Sequence, residues 1–284
     1  MRIACVGVIV FALIAVIPAN SAHGQSSAVP ETVVVKSGNL RLTALVWRPT
    51  GPGPFPAVLF SHGSGRRVDT TVAQRRANLI GPLFAKHGYL VMYLFRRGYG
   101  LSEAQGEPFG EILDRAEKAG GSEAVRRRQV ALLTTDYLDD TNAGFSALKS
   151  LRGIDRSRIA LAGHSLGGQL SLLAAARSPS IRAVVTFAAA AQSWDEVGPG
   201  LQALMLSAVR NARAPIFLCH AANDYSIAPG QMMAAELERL QKTHELKIYP
   251  ALGTTAAEGH DAVHTDVAAW EGDVFRFLDR YMKR

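Results

Sequence analysis

Residues 158–168 read RIALAGHSLGG, in which an apolar run leads into a serine that stands between glycines. The run predicts a buried strand over Arg158–Ala162, and Leu166–Ala176 has the composition of an apolar helix. The serine of this G-x-S-x-G pattern therefore falls on a tight turn between a strand and a helix. Side chains at positions 163 and 167 would collide with neighbouring elements, and glycine removes them. The pattern predicts a nucleophile, Ser165, above the carboxyl end of a strand, where ligands bind in α/β sheets.

Strands and helices alternate along the rest of the chain. Apolar runs predict strands at Val33–Lys36, Leu40–Trp47, Ala57–Ser61, Tyr89–Phe95, Arg182–Phe187, Pro215–His220 and Glu245–Tyr249. Further helices are predicted at Thr71–Lys86, Ser122–Leu151, Leu201–Asn211, Gln231–Lys242 and up to Tyr281, with a loop over residues 103–121. Most strands are apolar on both faces, which is typical of a mostly parallel sheet covered by helices on both sides. The fold class predicted is therefore a three-layer α/β domain.

Composition and the N-terminus exclude several classes of protein. Among 284 residues, 48% are hydrophobic and 19% are charged, which excludes a disordered chain. A single long apolar segment, Ile3–Ile17, excludes a polytopic membrane protein. This segment follows Met1-Arg2 and precedes small residues, so residues 1–24 are predicted to be a secretory signal peptide, cleaved after Ala22 or Gly24. A retained anchor is the alternative, although 15 residues are short for a span of about 20.

Export has consequences for the mature chain, predicted as a single domain over residues 25–284. It would be periplasmic or secreted, with no stable membrane insertion after cleavage. Cleavage removes Cys5 and leaves Cys219, which lies in an apolar run and is predicted to be a buried small hydrophobe. The formal net charge is +7 for the full sequence and about +6 once cleavage removes Arg2, which allows loose adhesion to polyanions. No nucleic-acid partner is expected, because the sequence contains no recognised binding module and no aromatic stacking platform.

The turn at Ser165 and the alternation around it resemble the α/β-hydrolase fold over nearly all of residues 31–284. The resemblance is to the branch that contains dienelactone hydrolases and prolyl oligopeptidases. Residues 61–65, Ser-His-Gly-Ser-Gly, are similar to the H-G-x-x loop of this family. Residues 96–102, Arg-Arg-Gly-Tyr-Gly-Leu-Ser, are similar to its R-G-x-G-x-S loop, for which we expect a scaffold role. The resemblance implies a serine hydrolase without a cofactor or a metal.

A serine nucleophile needs a base, and the base needs an acid that orients it. In this fold the acid and then the histidine follow the serine along the chain. The resemblance assigns the acid to Asp224, in the loop after strand Pro215–His220, with Asp195 as the alternative. It assigns the base to His260, which follows a glycine in a loop before the final helix. His264, one turn later, is the weaker choice for the base.

The remaining histidines are expected in structural positions. His220 lies inside a predicted strand and is expected in the core, and His164 belongs to the turn at Ser165.

A tetrahedral intermediate also needs backbone N–H donors aimed at its oxyanion. One donor is expected from Leu166, the residue after the nucleophile. The resemblance implies that the second comes from the loop after strand Ala57–Ser61, from Ser64 or, as second choice, Gly63.

Four arginines lie close to these loops in the sequence. Arg66 and Arg67 follow the 61–65 loop directly, and Arg96 and Arg97 follow a neighbouring strand. They could attract a carboxylate or a phosphate on the substrate, but a position on a solvated face is the commoner explanation.

Trp194, Phe109 and Met205 are candidates for pocket walls or, equally, for the core.

Together these features predict an exported serine hydrolase that cleaves an ester, or a related acyl bond, of a small molecule. A peptidase acting on short peptides is the runner-up. About 30 mature residues precede strand Ala57–Ser61, which leaves no room there for the gating domain of such peptidases. Dienelactone itself is an unexpected substrate, because dienelactone hydrolases proper use a cysteine nucleophile. Two other classes remain, a non-catalytic binding protein and a zinc hydrolase using His260 and His264, which would share a helix face.

Overall fold

The computed structural model describes Met1, residues 29–65 and residues 69–283. The predicted signal peptide and its cleavage sites therefore lie outside the described residues, apart from Met1. Within the described ranges, no helix combines the length and the apolar composition that crossing a membrane requires.

A single eight-stranded sheet runs through the described residues. Its strands are β1 (Glu31–Ser37), β2 (Leu40–Trp47), β3 (Phe55–Ser61), β4 (Leu90–Leu94), β5 (Ile154–His164), β6 (Ala183–Phe187), β7 (Ile216–Ala221) and β8 (His244–Tyr249). Their order across the sheet is β1-β2-β4-β3-β5-β6-β7-β8. The two pairs that include β2 are antiparallel, and all other neighbours are parallel. The carboxyl ends of β3, β5, β7 and β8 therefore meet at one edge.

Ten α-helices accompany the sheet in the described part of the chain. They are α1 (Thr70–Lys86), α2 (Phe109–Thr134), α3 (Asp136–Ser150), α4 (Leu166–Arg177), α5 (Ser193–Val197), α6 (Pro199–Asn211), α7 (Ala228–Arg239), α8 (Ala256–His260), α9 (Ala262–Thr265) and α10 (Val267–Met282). A short 3₁₀ turn lies at Gly100–Ser102.

Alternate side chains of the inner strands, β2 to β7, enter two different hydrophobic cores. In β3, Ala57 and Leu59 pack in a core that includes residues of α2, α3, α4, α6 and α7. Val58 and Phe60 pack on the opposite face with residues of α1 and α10. A strand buried on both faces needs apolar residues at every position, which is why the sequence shows continuous apolar runs. The predicted fold class, a mostly parallel sheet covered by helices on both faces, is confirmed.

The segment between β4 and β5 differs from the prediction. Residues 109–119, which fall in the loop predicted over residues 103–121, are helical, and the long helix predicted over Ser122–Leu151 is divided between α2 and α3. Helix α2 is kinked where Gly120 and Gly121 leave helical geometry, with φ of −170° and +61°. Paired glycines have low helix propensity, so they make a helical segment look like a loop in sequence. The kink gives α2 two arms, residues 109–119 and 122–134.

Candidate active site

Ser165 occupies a strained turn between β5 and α4. Its φ is +52° and its ψ −118°, a conformation that few non-glycine residues adopt. The serine N–H donates to the Phe187 carbonyl at 2.8 Å, which ties the turn to β6. A Cβ on Gly163 would overlap the Gly167 carbonyl, and one on Gly167 would overlap the carbonyls of Ser61 and His62. The two glycines therefore let the turn pack directly against β3.

The structure brings the three predicted side chains together in one hydrogen-bonded chain. Ser165 Oγ lies 3.0 Å from His260 Nε2, and His260 Nδ1 lies 2.7 Å from Asp224 Oδ1. Ser165 and Asp224 are each 8% exposed. His260 ends α8, a short helix that the sequence did not predict, and does not stand in a loop. The alternatives lie elsewhere, because His264 Nδ1 bonds Asp261 and Asp195 is exposed on α5.

The positions of the protons among Ser165, His260 and Asp224 follow from the charge state of Asp224. Burial raises the pKa of Asp224, but hydrogen bonds from His220 and His260 outweigh this effect and lower it. The carboxylate is therefore ionised and only accepts hydrogen bonds. Its Oδ1 accepts from His260 Nδ1 and from the Tyr225 N–H. With a proton on Nδ1, the His260 ring can present the Nε2 lone pair to the Ser165 hydroxyl, as a general base requires.

His164 holds the main chain of His260. Burial, followed by the proximity of His260 and His264, keeps the pKa of His164 well below its ordinary value, so the ring is neutral. Its Nε2 lies 2.8 Å from the His260 carbonyl oxygen and donates to it. The imidazole of His260 is thus fixed through its ring by Asp224 and through its backbone by the residue that precedes Ser165.

Arg96 holds the loop that follows β3. Its guanidinium is buried, with the residue 3% exposed, and donates to the carbonyls of His62 at 2.6 Å and Gly63 at 3.0 Å. In a trans peptide the N–H points opposite to the carbonyl, so the Ser64 N–H points away from Arg96. Ser64 and Leu166 both line the cavity that contains Ser165. This arrangement suits the predicted oxyanion donors.

The interpretation of the arginines as solvated is wrong for the pair that follows β4. Arg96 is buried as described, and Arg97 bonds the carboxylates of Asp140 and Asp136 on α3. Neither guanidinium is free to attract an anionic substrate, because the fold uses both internally. This agrees with the scaffold role expected for residues 96–102. Arg66 and Arg67 lie outside the described residues.

The cavity beside Ser165 has a volume of about 340 Å³. Helices α2, α5 and α6 supply its apolar side chains, which are Phe109, Leu113, Val125, Leu133, Val197 and Leu201. Its polar side chains beyond the turn are Gln129, Gln169, Gln192, Ser193 and Glu196. Of the three candidate wall residues, only Phe109 lines this cavity, whereas Trp194 and Met205 are buried in the core. Both arms of α2 contribute, so the segment predicted as a loop forms much of the wall.

A cluster of possible metal ligands lies next to His260. Ligand atoms of His164, Asp261 and His264 lie within 4.8 Å of one another. The Asp261 carboxylate already accepts from His264 Nδ1 and from the Arg76 guanidinium, both at 2.8 Å. The positive charge of Arg76 opposes a second cation at this carboxylate. His260, the other ligand of the zinc hypothesis, has both ring nitrogens engaged with Ser165 and Asp224.

The buried histidines make stability depend on pH. Burial lowers the pKa of His264, as it does that of His164, whereas in the unfolded chain a histidine titrates near pH 6.5. Below about pH 6.5 the unfolded state therefore binds more protons, and the free energy of unfolding falls as pH falls. We expect His264→Phe to reduce this slope, by at most one proton. Urea unfolding at several pH values measures it, and equal slopes in both proteins would contradict the assignment.

The sheet order, the turn at Ser165 and the histidine bonded to it define the fold class as the α/β-hydrolase fold. The model of the dienelactone hydrolase family matches residues 42–281, which is most of the chain. The protein therefore belongs to the dienelactone hydrolase family.

Solved structures share the fold at low sequence identity. Pyrococcus horikoshii acylaminoacyl peptidase is similar with a TM-score of 0.65 and 18% identity, over 90% of this chain and 42% of the peptidase. This chain thus spans less than half of the length of that enzyme. The dienelactone hydrolase from Anabaena variabilis is similar with a TM-score of 0.59 and 20% identity, over 91% of this chain and 99% of the other. At these identities the likeness concerns the fold.

Proposed function

We propose that the protein is a serine hydrolase that cleaves a carboxylic ester of a small molecule through an acyl-enzyme on Ser165. The observation that carries the proposal is the hydrogen-bonded chain from Ser165 through His260 to ionised Asp224. Membership of a hydrolase family and the strained turn at Ser165 support it. The uncharged segment Ile3–Ile17 after Arg2 supports the further proposal that the protein is exported.

The geometry suits a two-step acyl transfer. Ser165 Oγ attacks the ester carbonyl carbon while His260 Nε2 takes the hydroxyl proton. The N–H groups of Ser64 and Leu166 stabilise the oxyanion of the tetrahedral intermediate. Its collapse breaks the bond to the alcohol oxygen, and the alcohol leaves with the proton from His260. A water molecule, deprotonated by His260, then attacks the carbonyl carbon of the acyl-enzyme, and collapse breaks the bond to Ser165 Oγ, which takes the proton back from His260 as the acid leaves.

A fluorophosphonate probe tests the nucleophile directly. We expect one adduct, located on Ser165 by peptide mass spectrometry and lost in Ser165→Ala. Ser193→Ala is the matched control, because Ser193 lines the same cavity but bonds Gln169 and not a histidine. It should label as the wild type does. A folded wild-type protein that forms no adduct would contradict the proposal.

The choice between esterase and peptidase needs a second measurement. Nitrophenyl esters and nitroanilides with the same acyl group differ only in the leaving atom. We expect hydrolysis of the esters and little cleavage of the anilides. Efficient cleavage of the anilides, or of short peptides, would favour the peptidase alternative. The fluorophosphonate adduct alone does not distinguish the two, because both enzymes use the same nucleophile.

Replacing Arg96 is expected to impair oxyanion stabilisation. Without the guanidinium, the His62 carbonyl loses its donor and the Gly63 carbonyl keeps only its bond from His62 Nδ1, so the Ser64 peptide is held less firmly. Removal of one oxyanion donor costs about 10²- to 10³-fold in kcat, so we expect Arg96→Met to lower kcat by about 10- to 100-fold. Arg97→Met is the control, because Arg97 bonds α3 and should affect stability more than kcat. Equal kcat values for the two variants would argue against this role.

A further inference from the structure

His220 lies at the end of β7, four residues before Asp224. Its Nδ1 is 3.0 Å from Asp224 Oδ2, and both side chains are 0% exposed. Since the carboxylate is ionised and can only accept, the Nδ1 of His220 carries the proton and donates it. Asp224 is therefore bonded by two histidines, one on each carboxylate oxygen. The sequence prediction of a core position is correct for burial but does not include this bond.

The other nitrogen of His220 has no partner. Its Nε2 is buried without a hydrogen bond among the described residues. It lies against Gly230, where an added Cβ would come within 2.8 Å of it. Leaving a buried polar atom unpaired is unfavourable, so a leucine or a phenylalanine would fill this place at lower cost. The interaction that offsets the cost of the unpaired Nε2 is the hydrogen bond from His220 Nδ1 to Asp224.

We propose that His220 is a positioning residue, which fixes the rotation of the Asp224 carboxylate so that Oδ1 faces His260. Among the described residues, Nδ1 of His220 is the donor that reaches Oδ2, whereas Oδ1 is already shared between His260 and the Tyr225 N–H. Without His220, the carboxylate can rotate about its Cβ–Cγ bond and loosen its hold on His260. This inference rests on the proposed function of Ser165, His260 and Asp224.

A double-mutant cycle separates positioning from packing. His220→Leu keeps an apolar side chain of comparable size without the donor, and we expect it to lower kcat for a nitrophenyl ester by about 10- to 100-fold with KM within about twofold. Asp224→Ala should lower kcat by about 10⁴-fold. Because His220 acts through Asp224, adding His220→Leu to Asp224→Ala should cause no further loss. Independent, multiplying losses would overturn the proposal.

Rescue by a conservative variant gives a second test of the positioning role. His220→Asn places an amide donor near the position of Nδ1, and we expect its kcat to stay within about fivefold of the wild type. A packing role predicts that Asn impairs the protein at least as much as Leu. If His220→Leu does not fold, His220→Phe retains the ring shape without the donor and replaces it in the cycle. Leu218→Val, also in β7, controls for perturbation of the strand and should keep the wild-type kcat.

The outcomes also separate this inference from the function on which it rests. Wild-type kcat in Asp224→Ala would contradict the proposed mechanism as a whole. A strong loss in Asp224→Ala with wild-type kcat in a folded His220→Leu would overturn only the role of His220.

Discussion

Alanine at Ser165 is expected to lower kcat for ester hydrolysis by about 10⁴- to 10⁶-fold, and alanine at His260 by a similar factor. The hydroxyl and the imidazole act as one unit, because the hydroxyl is a weak nucleophile until Nε2, 3.0 Å away, removes its proton. The double variant should therefore be no slower than either single variant. Residual activity would come from the Ser64 and Leu166 donors and from binding of the substrate.

Steady-state kinetics of the three variants on one nitrophenyl ester test this prediction. Thermal unfolding of each variant verifies that the fold is retained. Expression from a newly made vector, followed by a second purification, excludes contamination by the wild-type protein, which matters at such low rates. Losses that multiply in the double variant would show that the two residues do not act together. Activity close to the wild type in Ser165→Ala would place the nucleophile elsewhere.

Alanine at Gly167 is expected to destabilise the fold by more than about 3 kcal/mol, which is the upper part of the range for overpacked sites. The added Cβ would overlap the carbonyl oxygens of Ser61 and His62. These are main-chain atoms at the end of β3, so no side-chain rotation relieves the overlap. Either α4 or the end of β3 must move, and the total stability of a domain is only about 5–15 kcal/mol.

Gly272 offers a matched control for this stability prediction. It lies in α10, and a Cβ built on it meets nothing within 4 Å. Gly272→Ala should stabilise the protein by about 0.5–1 kcal/mol through the higher helix propensity of alanine. Urea unfolding of both variants gives the two free energies. A Gly167→Ala protein as stable as the wild type would mean that β3 and α4 are less tightly packed than the structure has them.

Much of the fold was predictable from the sequence, because strands buried on both faces leave continuous apolar runs. The meeting of Ser165, Asp224 and His260 was predictable from the family resemblance together with their positions after strands of a parallel sheet. A scaffold role was also expected for residues 96–102, but its contacts were not predictable. Arg96 bonds main-chain carbonyls, and such acceptors leave no trace in a sequence.

Two other features were missed for different physical reasons. The first arm of α2 was hidden by the glycine pair at its end, although Pro108, the N-cap residue, stands one position before the first helical position that proline favours. His220 was predicted to lie in the core because of the apolar residues around it in the sequence. Its position four residues before Asp224 was the available signal, because a side chain near the carboxyl end of a strand can reach the loop that follows.

The kinked α2 has an evolutionary consequence. The proposed catalytic groups stand at the ends of sheet strands, whereas both arms of α2, residues 109–119 and 122–134, face the cavity from outside the sheet. Mutations in α2 can therefore reshape the cavity without displacing Ser165, His260 or Asp224. The proposed catalytic groups and much of the cavity wall are thus encoded on separate stretches of the chain, so sequence changes in α2 can alter the shape of the cavity while the proposed reaction is kept.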